Sequence, residues 1–421
     1  RQSFELDGNG EFSGEIKLQS PSYLKFSHGR QYSHCFAKPG DSLYIAVNLN
    51  SFDQSLKYSG NRSNANNYLA SKFVLEDSLM LLPTSRRQQQ RFYNKSPKQF
   101  TNQVDSIRQI YHQHYKDYFG KQLPSRQFHK YEQVNIDYRF YRMMNNYPFY
   151  YKQLNKGQEA TLPKSFNDYK KQIDFGKAGY FNIPYYQNFI QSYVAIKARQ
   201  EQQKADKPQA IIIKDIVQQN ITNDTLKARI LGRFLLQEIR TKGITGIQPA
   251  IDYYKGLPHD KAMMDQINQF VSKWEPLQKG KKAPGFAYPN LAGDTVALKD
   301  LRGSYVYIDA WATWCVPCIR EIPHLKDLHK KYKDRNVKFV SISLDKQNKV
   351  QKWKETVNKK NLKGIQLIAK GNAFKSKLAQ DYMINSIPRF ILIDPQGNIV
   401  DVNAERPSGD IDKRLEKLLS S

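Results

Sequence analysis

The sequence predicts a three-part chain ending in an α/β domain, a mixed sheet flanked by helices, preceded by a small β-rich segment and a mostly α-helical domain. Three observations predict it. Short alternating runs separated by turn residues fill the first 60 or so positions. Apolar residues at helical spacing dominate to about 275, and strand-like and helix-like runs alternate after about 283. A chain of 421 residues is also too long for one ordinary core.

In residues 1–60, runs such as Glu15-Ile16-Lys17-Leu18 and Ser42-Leu43-Tyr44-Ile45-Ala46-Val47 alternate between turn signals at Asp7-Gly8-Asn9-Gly10 and Lys38-Pro39-Gly40-Asp41. About seven such strands would form a sandwich-like unit. Residues 61–275 read as helices. Tyr68, Phe73, Leu75, Leu79 and Leu82 suggest one face, Val104, Ile107, Ile110, Tyr111, Tyr115 and Tyr118 a second, and Ile230, Leu231, Phe234, Leu235 and Ile239 a third. Breaks are expected at Pro83, Pro97, Pro124, Pro163, Pro184 and Pro208. No fixed-period repeat is present, and the tyrosine stripes read as packing residues. Residues 276–282, charged and carrying both Pro and Gly, read as a linker to a domain at 283–421.

In that last domain an apolar strand, Tyr305 to Ile308, runs into Trp311-Ala312-Thr313-Trp314-Cys315-Val316-Pro317-Cys318. An amphipathic helix follows, with Ile319, Ile322, Leu325, Leu328 and Tyr332 on one side and Arg320, Glu321, Lys326, Asp327, Lys330 and Lys331 on the other. Val337 to Leu344 reads as a strand, Val350, Trp353 and Val357 as a helix, and Phe374, Leu378 and Tyr382 as another. Phe390 to Ile393 and Ile399 to Val402 form a hairpin around Asp394-Pro395-Gln396-Gly397, and Leu415, Leu418 and Leu419 close the domain with a helix.

Composition excludes some classes. With 39% hydrophobic and 13% aromatic residues the chain can build packed cores, so it is not a disordered one. No run approaches the roughly 18 apolar residues of a membrane span. No signal segment is legible in the opening RQSFELDGNGEF. The net charge of +27 comes from basic residues spread along the whole chain, without a dense arm or a nucleic-acid motif. It predicts loose association with anionic surfaces and no nucleic-acid partner.

Two of the three cysteines, Cys315 and Cys318, share one turn behind Trp314. Cys315 falls at a helix start, where unpaired N–H groups and the helix dipole favour a thiolate. Cys318, one turn on, can attack a mixed disulfide formed at Cys315 and release the partner. A zinc half-site would need a second ligand pair, and Cys35 stands alone beside His34. A c-type haem attachment would need His where Ile319 stands. A structural disulfide across two residues would constrain the unfolded chain little. Redox chemistry is therefore expected, with no metal and no cofactor beyond the Cys315–Cys318 disulfide. Asp309, at the expected end of the strand, would be partly buried beneath the thiols and could accept the proton of Cys318. Pro323 would kink the helix. Pro388 begins a strand, and if its peptide bond is cis and packs on Cys315, the backbone beside it is free to pair with an extended substrate. Cys35 reads as packed, and His112 and His114 as surface or packing residues.

Ala283-Pro284-Gly285-Phe286, Gly293-Asp294-Thr295-Val296-Ala297-Leu298, Leu301-Arg302-Gly303, WATWCVPC, Glu321-Ile322-Pro323 and Ile387-Pro388 together resemble the TlpA/ResA branch of thioredoxin-like thiol–disulfide oxidoreductases, over about residues 280 to 421. The resemblance implies a thioredoxin-like domain in which Cys315 is the nucleophile, Cys318 the resolving cysteine, Asp309 the buried acid and Pro388 the cis-proline. It implies that Trp314, Val316, Pro317 and Ile387 line the surface met by clients, and that residues 345 to 370 add a helix and strand to the core. Lys38-Pro39-Gly40-Asp41-Ser42-Leu43, Tyr58-Ser59-Gly60 and Asn66-Asn67-Tyr68-Leu69 are similar to N-terminal regions of exported Bacteroidetes members, regions without assigned chemistry.

The family is typically exported and often lipid-anchored. That implies a periplasmic or cell-envelope location reached by a signal segment not present in this chain, peripheral or lipid-anchored membrane association, client proteins with disulfides or thiols, and an upstream membrane thiol donor. Val316-Pro317 and Ile387 are similar to reducing members; oxidising and isomerising members usually carry His between the cysteines. A reductase is expected, with a disulfide oxidase or isomerase, or a client-binding scaffold with an accessory thioredoxin domain, as alternatives. A peroxidase lacks its Pro-x-x-x-Thr-x-x-Cys setting here.

Overall fold

The computed structural model describes residues 2–205, 207–371 and 373–420. Contacts divide the chain into two compact units, Arg1–Asp206 with Asp215–Ile230, and Lys207–Lys214 with Leu231–Ser421.

The first unit opens with β1 (Ser22–His28), β2 (Gln31–Ala37), β3 (Leu43–Ala46), α1 (Phe52–Ser55) and β4 (Lys57–Gly60). β1 pairs antiparallel with β2, and β3 with β4, as two separate ladders. This replaces the expected sandwich of about seven strands. The run Glu15–Leu18 lies outside the strands and Ile16 is exposed, because alternation forms a strand only where one face finds a core to cover.

That core comes from the helices. α2 (Ser63–Ser78) carries adjacent asparagines that imitate strand partners. Phe36 N–H donates to Asn66 Oδ1 at 2.6 Å and Asn66 Nδ2 donates to Phe36 O at 3.1 Å. Tyr58 N–H donates to Asn67 Oδ1 at 2.8 Å and Asn67 Nδ2 returns a bond to Tyr58 O at 2.9 Å. Each amide satisfies a donor and an acceptor that a missing strand would have taken. Phe36, Tyr68, Leu69, Tyr115, Phe119 and Phe128 pack together behind them. The buried side of α2 is therefore Ala65, Asn66, Tyr68, Leu69 and Lys72, and Leu79 and Leu82 fall beyond the helix.

α3 (Arg86–Tyr93) and α4 (Pro97–Phe119) both begin with capping boxes, Ser85 with Gln88 and Ser96 with Gln99. α5 (Arg126–Leu154) continues through Pro148, and α6 (Pro184–Gln202) starts on its proline. Phe100, Val104, Ile107, Tyr111, Phe140 and Tyr147 share one hydrophobic core, so the α4 stripe is packing, as its spacing implies. Cys35 is buried, and burial pushes its thiol up to about 12. The unit also holds a concavity of about 480 Å³ lined by Tyr32, Phe73 and Tyr185 beside the paired Lys72 and Arg139.

α7 (Gln209–Asn220) and α8 (Asp224–Lys242) are each divided between the units. The second unit continues with α9 (Gln248–Lys255), α10 (Lys261–Trp274), β5 (Ala287–Pro289), β6 (Thr295–Ala297), β7 (Tyr305–Trp311), α11 (Val316–Lys331), β8 (Val337–Ser343), α12 (Val350–Lys359), β9 (Ile365–Ile368), α13 (Lys377–Asp381), β10 (Arg389–Ile393), β11 (Ile399–Asp401) and α14 (Ile411–Leu419). Five strands form one mixed sheet in the order β11-β10-β7-β8-β9. β7–β8 and β8–β9 are parallel; β10 is antiparallel to both β7 and β11. The C-terminal domain is thus a thioredoxin-like mixed sheet flanked by helices. Tyr307, Leu325, Leu328, Tyr332, Phe339, Phe390 and Leu415 share one of its hydrophobic clusters.

The units depart from the expected division at 276–282. Gly280 N–H donates to Ile399 O at 2.8 Å, Ile399 N–H to Lys281 O at 2.7 Å, and Ala283 N–H to Gly397 O at 3.0 Å. The charged Pro/Gly stretch is annealed to β11 rather than free, because its backbone groups find partners on an open sheet edge. Among the described residues no helix is long and apolar enough to cross a membrane.

Candidate active site

The strand β7 carries the site. It extends to Trp311, so Asp309 lies inside the strand rather than at its end. Alternation puts Tyr307, Asp309 and Trp311 on one sheet face. Tyr307 packs with Leu325 and Leu328 of α11, and Trp311 with Cys315, Cys318 and Trp353. Asp309 therefore lies on the sheet face that the cysteine-bearing helix covers.

Cys315 is the N-cap of α11 and Cys318 sits in its first turn, joined to it by a disulfide of 2.01 Å. Cys318 N–H points at Cys315 Sγ at 3.2 Å. This is the orphan donor of a helix start aimed at sulfur, the arrangement that favours a thiolate when the bond is reduced. Both cysteines are only 4% exposed, but their surroundings open outward through apolar residues. Trp314 is 52% exposed and Val316 61%, and Pro317 is exposed as well. The Ile387–Pro388 peptide bond is cis, and Ile387 packs against the cluster holding both cysteines. α11 runs on through Pro323 to Lys331.

Asp309 is half-buried, and desolvation pushes its carboxyl up to about 7, against the Ser341 hydroxyl that donates to Oδ2 at 3.4 Å. The negative Glu321 on α11 adds to the rise. A carboxyl poised there can exchange a proton near neutral pH. Among the described residues no group of three or more His, Cys, Asp or Glu side chains could hold a metal ion.

Three residues of the site were not legible as such. Glu321, expected on the polar side of α11, is 8% exposed and accepts bonds at 3.0 Å from both the N–H and the hydroxyl of Ser408. Its spacing from Cys318 was the available signal, since i and i+3 share a helix face. Asp345, 1% exposed, is bonded to Thr313 from the end of β8. Phe374, read as part of a helix with Leu378 and Tyr382, lies instead in a single turn ahead of α13. Its ring stands edge-on to Trp314, centroids 6.3 Å apart.

A disulfide at a helix start beside an acid of raised pKa and a cis-proline, on a thioredoxin-like sheet, defines a thiol–disulfide oxidoreductase. Comparison with known proteins agrees. Residues 279–402 match the AhpC/TSA family. Thiol-disulfide oxidoreductase ResA of Bacillus thuringiensis (strain Al Hakam) is 33% identical over 150 residues, 35% of this chain and 83% of the relative. Thioredoxin-like protein YneN of Bacillus subtilis (strain 168) is 31% identical over 139 residues, 32% of this chain and 78% of the relative. A solved thiol-disulfide oxidoreductase from Bacteroides fragilis NCTC 9343 is 30% identical, covering 33% of this chain and 100% of its own, with a TM-score of 0.30. Through its C-terminal domain, the chain belongs to the ResA-like thiol–disulfide oxidoreductases.

Proposed function

We propose that the chain reduces disulfides of client proteins in the periplasm or cell envelope. In the dithiol form, the Cys315 thiolate attacks one sulfur of a client disulfide. An S–S bond forms between Cys315 and that sulfur, and the client's other sulfur leaves as a thiolate and takes a proton. Asp309, ionised, accepts the proton of Cys318, whose thiolate then attacks Cys315 Sγ. The Cys315–Cys318 bond forms as the bond between Cys315 and the client sulfur breaks; that sulfur leaves as a thiolate and takes a proton, so the client departs with two thiols and two electrons have passed to it. An upstream membrane thiol donor restores the dithiol. The disulfide is the only redox group required, and Trp314, Val316, Pro317 and Ile387 form the surface against which the client lies, with the backbone beside Pro388 open to an extended segment. Export and peripheral or lipid-anchored membrane association belong to the same reading, and the charge of +27 suits an anionic surface.

The observation carrying the reading is the disulfide at the start of α11 with a carboxyl held at about 7 on the facing strand. The test is the reduction potential of the pair, by equilibration of the full chain with dithiothreitol or glutathione buffers. A value near or below about −270 mV is expected, and a value near about −120 mV would make the protein an oxidant of thiols instead. Client selection by the first unit is the second reading, favoured by its aromatic concavity.

A further inference from the structure

The last carbonyl groups of α8 are taken up by side chains of the thioredoxin-like domain, two of which flank the cis-proline. A helix ends with four C=O groups lacking intrahelical partners. In α8, Gly243 at φ +92° turns its N–H back to Ile239 O at 3.1 Å, a glycine cap. The next three carbonyls receive donors from the thioredoxin-like domain of the same unit. Asn385 Nδ2 donates to Arg240 O at 2.7 Å, Arg389 Nη2 to Thr241 O at 2.9 Å, and Asn403 Nδ2 to Lys242 O at 2.7 Å. Arg389 also donates through Nη1 to Asn403 Oδ1 and, at 3.4 Å, to Val402 O.

Arg389 is 6% exposed, and burial lowers its guanidinium to about 10, with Asp401 opposing the fall. The partners just named are all neutral oxygens. The negative end of the helix dipole compensates a buried positive charge there. The helix is held from its other side too. A Cβ on Gly243 would stand 3.0 Å from the ring of the fully buried Trp274, a tight approach at a position whose φ also favours glycine.

Asn385 and Arg389 bracket Ile387 and Pro388, and Ile387 packs against the cysteines. We propose that the C-terminus of α8 is part of the client-binding apparatus and that Arg389 and Asn385 are positioning residues, which hold the cis-proline loop in register for an incoming polypeptide by anchoring it to the helix end. The inference rests on the reductase reading for its kinetic consequence alone. A small disulfide needs only the sulfur of Cys315, whereas an extended protein segment needs the loop. The anchor therefore acts on protein clients selectively.

The test uses the full chain with Asn385→Ala, whose side chain is exposed, and Arg389→Met, which keeps an apolar stem. Hydrogen exchange of the oxidised form reads the loop itself. The backbone amides between residues 384 and 389 are expected to exchange about tenfold faster in Arg389→Met, the scale of a lost charge-assisted hydrogen bond, and about threefold faster in Asn385→Ala, whose bond is neutral and exposed, with β7 and β8 within about twofold of the parent. Single-turnover reduction by the pre-reduced protein is then measured with insulin and with 5,5′-dithiobis(2-nitrobenzoic acid). A rise of about tenfold in half-saturating insulin, with the small disulfide within about twofold, is the expected split. Unchanged exchange in both variants overturns the proposal, as does equal slowing with both probes. A parent chain that reduces neither probe fails the reductase reading, and the exchange result still decides whether α8 orders the loop.

Discussion

Asp345 holds Thr313 by both ends: Oδ2 accepts the Thr313 N–H at 2.8 Å and Oδ1 accepts its hydroxyl at 2.8 Å. Ser343 adds a third donor to Oδ2 at 2.8 Å. A single carboxylate just past β8 thus fixes the loop two residues before Cys315, where Ala312 O in turn accepts the Cys315 N–H at 3.0 Å. Removing the carboxylate strands up to three donors, at about 1–3 kcal/mol for each that water cannot reach. Asp345→Ala is expected to cost about 3 kcal/mol in urea unfolding of the oxidised protein, and Asp345→Asn, which keeps one acceptor oxygen, about half that. An unmoved midpoint in Asp345→Ala would show that water replaces the bonds.

Asp309 gives stability a slope with pH. The native carboxyl keeps its proton to about pH 7, while the unfolded chain releases it near its ordinary 3.8. Between those values the native state binds more protons, so stability falls as pH rises, by at most about 4 kcal/mol before allowance for partial exposure. Asp309→Asn is expected to be more stable than the parent at pH 8 and about equal to it below pH 4, by chemical denaturation. The same substitution is expected to slow release of a trapped mixed disulfide about 100-fold at pH 7.5 and to remove the inflection near pH 7 from its rate profile.

Gly364 is expected to tolerate no side chain. Its φ is +75°, and a Cβ would stand 2.2 Å from Cε1 of His329 and 2.8 Å from the backbone oxygen of Phe339. The His329 ring packs tilted against that of Phe339, centroids 4.5 Å apart, and cannot move without disturbing that pair. Gly364→Ala combines left-handed strain with overpacking and is expected to cost more than about 2 kcal/mol, read from the melting temperature. Gly285, which has open space around its Cβ position and an ordinary φ, is the control.

Phe374 extends the apolar rim beyond Trp314. The exposed ring of Phe374 offers apolar surface that a client can bury, so Phe374→Ala is expected to raise half-saturating insulin about 2–10-fold without changing the potential of the cysteine pair. Equal affinity in the two proteins would place the client elsewhere on the rim.

What the sequence revealed tracks how local the causes are. The Cys315–Cys318 turn, the β7–α11 junction and the β10–β11 hairpin depend on neighbouring residues, and each was legible. The strand was ended at Asp309, two residues early, because Ala310 and Trp311 continue it only by pairing with β8 and β10, a tertiary fact. Glu321 looked solvent-facing by charge, although its spacing from Cys318 puts it inward; the Ser408 donors that make this tolerable lie 87 residues away. Asp345 and the anchors Asn385, Arg389 and Asn403 could not be read at all, since their partners are backbone groups and loops brought near only by the fold. In the first 60 residues, alternation overstated the number of strands, because Asn66 and Asn67 supply the pairing that further strands would have given.

The strip from Gly280 to Ala283 pairs with Gly397, Asn398 and Ile399, at the start of β11, the outermost strand on its side of the sheet. An outermost strand is a template on which other chains can polymerise. This protein caps the start of its own template with a piece of chain that looks like mere spacer. A fragment cut at residue 283, where composition invites the cut, would leave the strand sticky, and its fault would show as self-association long before it showed as lost chemistry.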